Sequence, residues 1–285
     1  MISSNRTEFD KWNLSLGRSL EMRRHVSGIV LAFVAFFICA WAASAQTKPA
    51  AGATAAPGAF DPHDLSGLWS QDHPRTAPVV ERYWNYEFSK EPPPMTAWGQ
   101  AQFDAAKSSF GLHTYPIAET NDPLYHSCTP PGLPRVYLHP FPMEIVQTPG
   151  ETLILFEYDS LRHPIYTDGR PHDETLGALW MGDSIGHWEG DTLVADTVNF
   201  NDKTWIDRVG HPHSDKLHVV ERIHRVDKNH LTDDVIIEDP KAYTKPWTAH
   251  LDFVLRPTWT LGEQFCEDEH SFDEFDKSGA TPPKK

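Results

Sequence analysis

The residues with the densest potential chemistry lie in Gly210-His211-Pro212-His213-Ser214-Asp215, with His218 and Glu221 just downstream. An imidazole poised by a carboxylate takes up and returns a proton near neutral pH, so His211 and His213 beside Asp215 and Glu221 suit general acid–base work. His187, which precedes Trp188, is a further candidate for that role. The same types can also hold a metal: His211 and His213, two apart, could share an ion with His218, Asp215 or Glu221. No second ligand pair stands at motif spacing. The chain also lacks a His-Glu-x-x-His helix, a Walker loop and a dinucleotide fingerprint. The expectation is proton transfer without an organic cofactor, with metal binding as an alternative.

Groups that do chemistry need elements that hold them, and here those elements read as strands. Ser184–Trp188 and Thr192–Val198 flank the turn Glu189-Gly190-Asp191, and Leu217–Val226 and Leu231–Glu238 flank Asp227-Lys228-Asn229-His230. Met143–Gln147 and Thr152–Tyr158 flank Pro149-Gly150; Arg162–Thr167, Thr248–Leu255 and Trp259–Cys266 follow the same pattern. With Gly67–Trp69 this makes about ten short strands, the spacing of an antiparallel barrel or sandwich. One helix is expected, capped by Thr96 and running to about Lys107. The proline-laden stretch 121–142 should drape as an extended loop.

Alternation then places single carboxylates among aliphatic residues. Glu221 shares a face with Leu217, Val219 and Ile223; Asp196 with Val194 and Val198; Glu157 with Leu153 and Leu155. Three such positions would line an enclosed apolar pocket, or else form internal salt bridges with Arg135, Arg162 or Arg222. Arg135, Glu157, Arg170, Asp196, Trp188 and Trp205 are therefore the candidates for holding a substrate, Arg170 within the charged turn that begins at Asp168.

The ends and the composition restrict the setting. Arg23-Arg24-His25, the apolar run Ile29–Ala42 and Ala43-Ser44-Ala45 read as a signal peptide over residues 1–45, with Met22 as an alternative start and a retained anchor as the other reading. The run is shorter than the roughly 20 residues of a spanning helix, so no stable membrane insertion is expected after cleavage. Residues 46–62 read as a disordered linker, 63–270 as one β domain and 271–285 as a polar tail. Removing residues 1–45 deepens the net charge from −15 to −17, which disfavours nucleic acid as a partner. Cys128 and Cys266 remain, and in a periplasmic or secreted protein an even pair suits a disulfide, two buried thiols being the alternative. Closing so long a loop would restrict the unfolded chain by up to about 5 kcal/mol.

Two resemblances bear on the fold. Gly67-x-Trp69 at the opening of the first strand resembles the Gly-x-Trp signature of lipocalins, in which the Trp closes one barrel end. Trp188-Glu189-Gly190-Asp191-Thr192-Leu193-Val194, Leu217-His218-Val219-Val220-Glu221-Arg222 and the run from Asp239 to Thr248 resemble segments of a large group of exported bacterial proteins. That likeness extends over most of residues 64–270, including Pro130-Pro131-Gly132, Pro134-Arg135 and Cys266. It implies a secreted β-rich domain and no particular reaction.

Together these readings describe an all-β, lipocalin-like antiparallel barrel or sandwich with one short N-terminal helix. Its expected partner is a hydrophobic, aromatic or polycyclic small molecule, transformed by lyase, isomerase or hydratase chemistry. The competing expectation is a carrier that binds such a molecule and releases it unchanged.

Overall fold

The computed structural model describes residues 60–72, 86–89, 91–111 and 114–266. The expected signal peptide, most of the expected linker and the polar tail lie outside these residues. The last three linker positions are described, and there Phe60 packs beneath the Arg225 guanidinium, 5.8 Å from its ring centre.

Nine strands close into a barrel in chain order: β1 (Gly67–Gln71), β2 (Met143–Thr148), β3 (Glu151–Phe156), β4 (Arg162–Tyr166), β5 (Asp183–Glu189), β6 (Thr192–Val198), β7 (His218–Arg225), β8 (His230–Glu238) and β9 (Trp247–Leu255). β9 returns to β1 through Trp69 opposite Leu255 and Gln71 opposite Phe253. The hairpins form at the expected turns. The expectation of a wholly antiparallel sheet is corrected at one seam: β4 and β5 run parallel, Ile165 opposite Ser184, because residues 167–182 cross over between them. The expected strand Trp259–Cys266 is also absent as a strand; it keeps one bridge, Gln264 to Tyr158. Once β9 pairs with β1 the barrel has no free edge to receive it.

Alternation places one residue in two inside. Leu193, Ala195 and Thr197 of β6, Val219, Glu221 and Ile223 of β7, and Leu231, Asp233, Val235 and Ile237 of β8 are all buried. They join Ile145, Ile154, Phe156, Ile165 and Phe253, mostly within one contiguous core. Trp69 lies fully buried in this core, its indole N–H donating to the Leu65 carbonyl at 3.0 Å. Among the described residues no helix is long and apolar enough to cross a membrane.

Outside the barrel, α1 (Ala97–Ala105) begins at Thr96, whose hydroxyl accepts from the Gly99 amide at 3.1 Å. Gly99, which intrinsically weakens the helix, is needed for its docking: a Cβ there would stand 2.2 Å from the Ala242 carbonyl oxygen. A second short helix, α2 (Pro123–Ser127), is an addition to the one expected from sequence; Asp122 caps it and proline occupies its first turn. Cys128, just after α2, is bonded to Cys266 with Cα atoms 5.4 Å apart, so the segment after β9 is tied to α2.

Candidate active site

The connection between β6 and β7, residues 199–217, folds against α1, lines one cavity with it and contributes Val209 to a second. A short bridge between Trp205 and Pro212 doubles this connection back on itself. Its returning arm is pinned from beneath. Ser214 donates through its amide and hydroxyl to the buried Asp239 carboxylate at 2.5 and 3.0 Å, and Tyr243 Oη donates to the Pro212 carbonyl at 2.8 Å.

The first cavity, about 410 Å³, is bounded by Trp98 and Gln102 of α1, by Thr204, Trp205 and His213, and at its rim by exposed Lys203 and Lys241. In its wall His213 Nδ1 donates to the Ser214 carbonyl at 3.1 Å. Nε2 therefore carries the lone pair and accepts the Thr204 hydroxyl, 2.6 Å away. Burial lowers the His213 pKa, outweighing the opposing pull of the Ser214 carbonyl and of Asp239 and Asp202, so the ring is neutral at neutral pH. A neutral imidazole accepting from a hydroxyl in a cavity wall can draw a proton through that hydroxyl.

His211, two residues earlier, has a different partner. Its Nδ1 lies 2.5 Å from Asp207 Oδ2, while Asp207 Oδ1 accepts the amides of Val209, Gly210 and His211 at 3.1 Å each. The ring stacks on Phe103 of α1 with centroids 4.4 Å apart. Burial depresses its pKa, but the charge and hydrogen bond of Asp207, with Glu87 assisting, leave it raised. Phe103 and Glu87 in turn line the second cavity, about 400 Å³, with Phe110 and Tyr115. No family model, curated protein or solved structure matches this chain.

The other expected site residues are scattered. Glu221 is fully buried inside the barrel, where Oε1 accepts Tyr137 Oη at 2.6 Å and Oε2 lies 3.1 Å from His163 Nε2. Asp233 is buried in the same interior, its Oδ1 accepting the Arg222 amide at 3.0 Å. Asp196 and Glu157, expected on inner faces, point outward instead. In β6 it is Leu193, Ala195 and Thr197 that face in, and in β3 Thr152, Ile154 and Phe156. Both faces of these strands carry aliphatic residues, so alternation alone leaves the inner one undetermined. Asp196 bridges His172 and His218 on the barrel exterior at 3.0 and 3.2 Å, and Glu157 accepts the Gly262 amide at 2.8 Å.

His218 completes its exterior pairing with Glu238, His187 pairs with Glu189, and Asp215 pairs with Lys216. None of these three joins His213. Arg170 folds back on Asp168 and over the Tyr166 ring, and Trp188 meets the edge of His63. Arg135 is buried and bound to Asp122 through two hydrogen bonds of 2.8 and 2.6 Å, behind Trp205 of the first cavity. Of the candidates, only His213 and Trp205 line the first cavity, with Arg135 just behind them. His211 and His213 turn to separate partners, and among the described residues no group of three His, Cys, Asp or Glu is placed to hold a metal ion.

Sequence reasoning passed over Thr204, Asp207 and Glu87. Thr204 and Asp207 belong to the same polar run, Asn201-Asp202-Lys203-Thr204-Trp205-Ile206-Asp207-Arg208, and extending the ionisable loop upstream would have included them. Glu87 is remote in sequence, and no spacing signal links it to His211.

Proposed function

We propose that this is an exported enzyme that moves protons on an aromatic small molecule bound in the first cavity. The Thr204–His213 pair is its relay, and no organic cofactor takes part. The observation that carries this reading is the neutral, buried His213, whose Nε2 lone pair accepts the Thr204 hydroxyl in the wall of a cavity of ligand size.

The chain's own residues define the steps. A flat substrate lies between the indoles of Trp98 and Trp205, which supply stiff apolar walls. Thr204 Oγ1 takes a proton from an acidic C–H or O–H of the substrate while its own proton passes to His213 Nε2. The imidazolium is stabilised by the neighbouring Asp239 and Asp202 carboxylates. Charge building on the substrate meets the ammonium groups of Lys203 and Lys241 at the rim. Return of the proton to a different atom gives isomerisation; its delivery to a departing hydroxyl gives elimination of water.

The barrel is read as lipocalin-like in type. The Gly67-x-Trp69 opening and the burial of Trp69 under Arg225, 5.4 Å from the ring centre, support that reading. Both cavities are lined by loop and α1 residues rather than by the inner faces of strands, which favours a site on the barrel's flank over a ligand carried within it.

The test is solvent exchange. Aromatic ketones, enols and β-hydroxy acids are incubated with the protein in deuterium oxide and followed by proton NMR. At least one should take up deuterium or turn over, and His213→Ala and Thr204→Val should each slow it by about 100-fold or more while remaining folded. Full turnover by folded His213→Ala would remove the relay. A compound bound tightly but never exchanged would make the protein a carrier.

A further inference from the structure

A buried cationic cluster beside the candidate site carries one positive charge more than its carboxylates balance. Arg135 has the Asp122 carboxylate, and His211 has Asp207. Arg208, 8 % exposed, forms no ion pair within 4 Å among the described residues. Its Nη2 donates to Tyr125 Oη at 3.0 Å and Nη1 to the Leu138 carbonyl at 3.5 Å, while its flat face lies 4.0 Å from the Phe110 ring centre and 5.2 Å from that of Tyr86. All these partners are neutral. A guanidinium cannot shed its proton in a protein, so burial cannot be relieved by titration.

Unmet hydrogen-bonding capacity lies on Arg208 itself and on two residues of the adjoining turn. Arg208 Nε, Arg135 Nε and both ring nitrogens of His139 are buried with no hydrogen-bond partner among the described residues. His139 directly follows the Leu138 carbonyl that Arg208 reaches, and it ends the helical turn Arg135–Leu138 that begins at Arg135. It is 2 % exposed, stacked on Tyr158 at 4.3 Å, and feels the charge of both arginines. Two guanidinium N–H groups and an imidazole N–H, with one uncompensated positive charge among them, match a small monoanion that accepts from several donors at once.

We infer that Arg208, Arg135 and His139 together bind a small monovalent anion, a halide or a compact carboxylate, and that this anion completes the folded structure behind the active-site loop. Chloride and formate share the required charge and size; gluconate has the charge but not the size. Water would satisfy the donors without supplying the charge.

Thermal unfolding at matched ionic strength tests this. Sodium chloride or sodium formate should raise Tm saturably, by at least ~3 °C over sodium gluconate. Response to formate alone identifies a carboxylate site, and response to both a general monoanion site. Arg208→Met, which removes the uncompensated charge, should be insensitive to the choice of salt. Equal Tm in all three salts, or an unchanged chloride response in folded Arg208→Met, overturns the inference. Should Arg208→Met fail to fold, crystals of the unaltered protein in sodium bromide decide the matter. An anomalous peak within hydrogen-bonding distance of Arg208 and His139 supports the site, and bromide found only elsewhere refutes it.

Discussion

Two parts of this molecule bury a histidine beside polar side chains, and they differ in what surrounds them. Inside the barrel, His163, Glu221, Tyr137 and Asp233 meet on rigid elements, each no more than 3 % exposed. On the flank, Thr204, Asp207, His211 and His213 meet on one folded connection, with His213 and Thr204 in a cavity wall. The interior group ties strands together; three of its members come from β4, β7 and β8, and Tyr137 from the turn that packs into them. The flank group is held as firmly, by Asp239, Tyr243 and α1, yet it faces space that a ligand can fill. Residue type is shared, and access separates an internal clamp from the site proposed to act on a substrate.

That contrast is broken most severely through Glu221. Replacing it by Leu removes the acceptor of the Tyr137 hydroxyl and the carboxyl group beside His163, leaving two polar groups buried without it. A loss of about 3 kcal/mol is expected, measured by urea unfolding. The proton exchange proposed at the first cavity should stay within a few-fold of normal in the folded variant, because the proposed relay lies elsewhere. An E221L protein that unfolds normally but has lost activity would exchange the roles assigned to the two regions.

The disulfide sharpens the comparison from the other side. Cys128–Cys266 joins α2 to the segment after β9, and its neighbours Leu124, Tyr125 and Phe110 pack toward the flank rather than into the main core. Cys128→Ser with Cys266→Ser should cost about 2–4 kcal/mol. Hydrogen exchange should rise first around α2 and residues 135–139, with the β7–β8 amides protected longest. Uniform loosening of strands and flank together would make them one cooperative unit.

Most strands were legible because their turns carry explicit signals: Pro149-Gly150, Glu189-Gly190-Asp191 and Asp227-Lys228-Asn229-His230 all bend where expected. Glu221 was also legible as a buried carboxylate, since a regular strand alternates and its neighbours left only one assignment. Asp196 and Glu157 were not, because Val194, Leu153 and Leu155 place aliphatic side chains on the outward faces as well. The parallel seam at β4–β5 depends on where the crossover of residues 167–182 leads, which no local pattern encodes. His213 was identified by residue type, but its partner Thr204 lies nine residues upstream across a folded-back loop. Only the Trp205–Pro212 bridge makes them neighbours.

The smallest expected effect concerns Asp233, and it is one of pH. Burial first, and the charge of Glu221 second, raise its pKa well above the usual carboxylate range. The folded state thus holds this proton more tightly than the unfolded chain, whose Asp titrates near about 3.9. Its contribution to stability is complete below that value and declines as pH climbs toward the folded pKa. Asp233→Asn keeps an oxygen for the Arg222 amide and abolishes the titration. Urea unfolding across a pH series above about 4 should show the variant gaining on the unaltered protein until the folded carboxyl titrates, with no change in the exchange activity proposed at the first cavity. Parallel stability curves would mean that the proton is not held at Asp233. The interior group would then act as a clamp independent of pH, and the distinction between the two regions would rest on access alone.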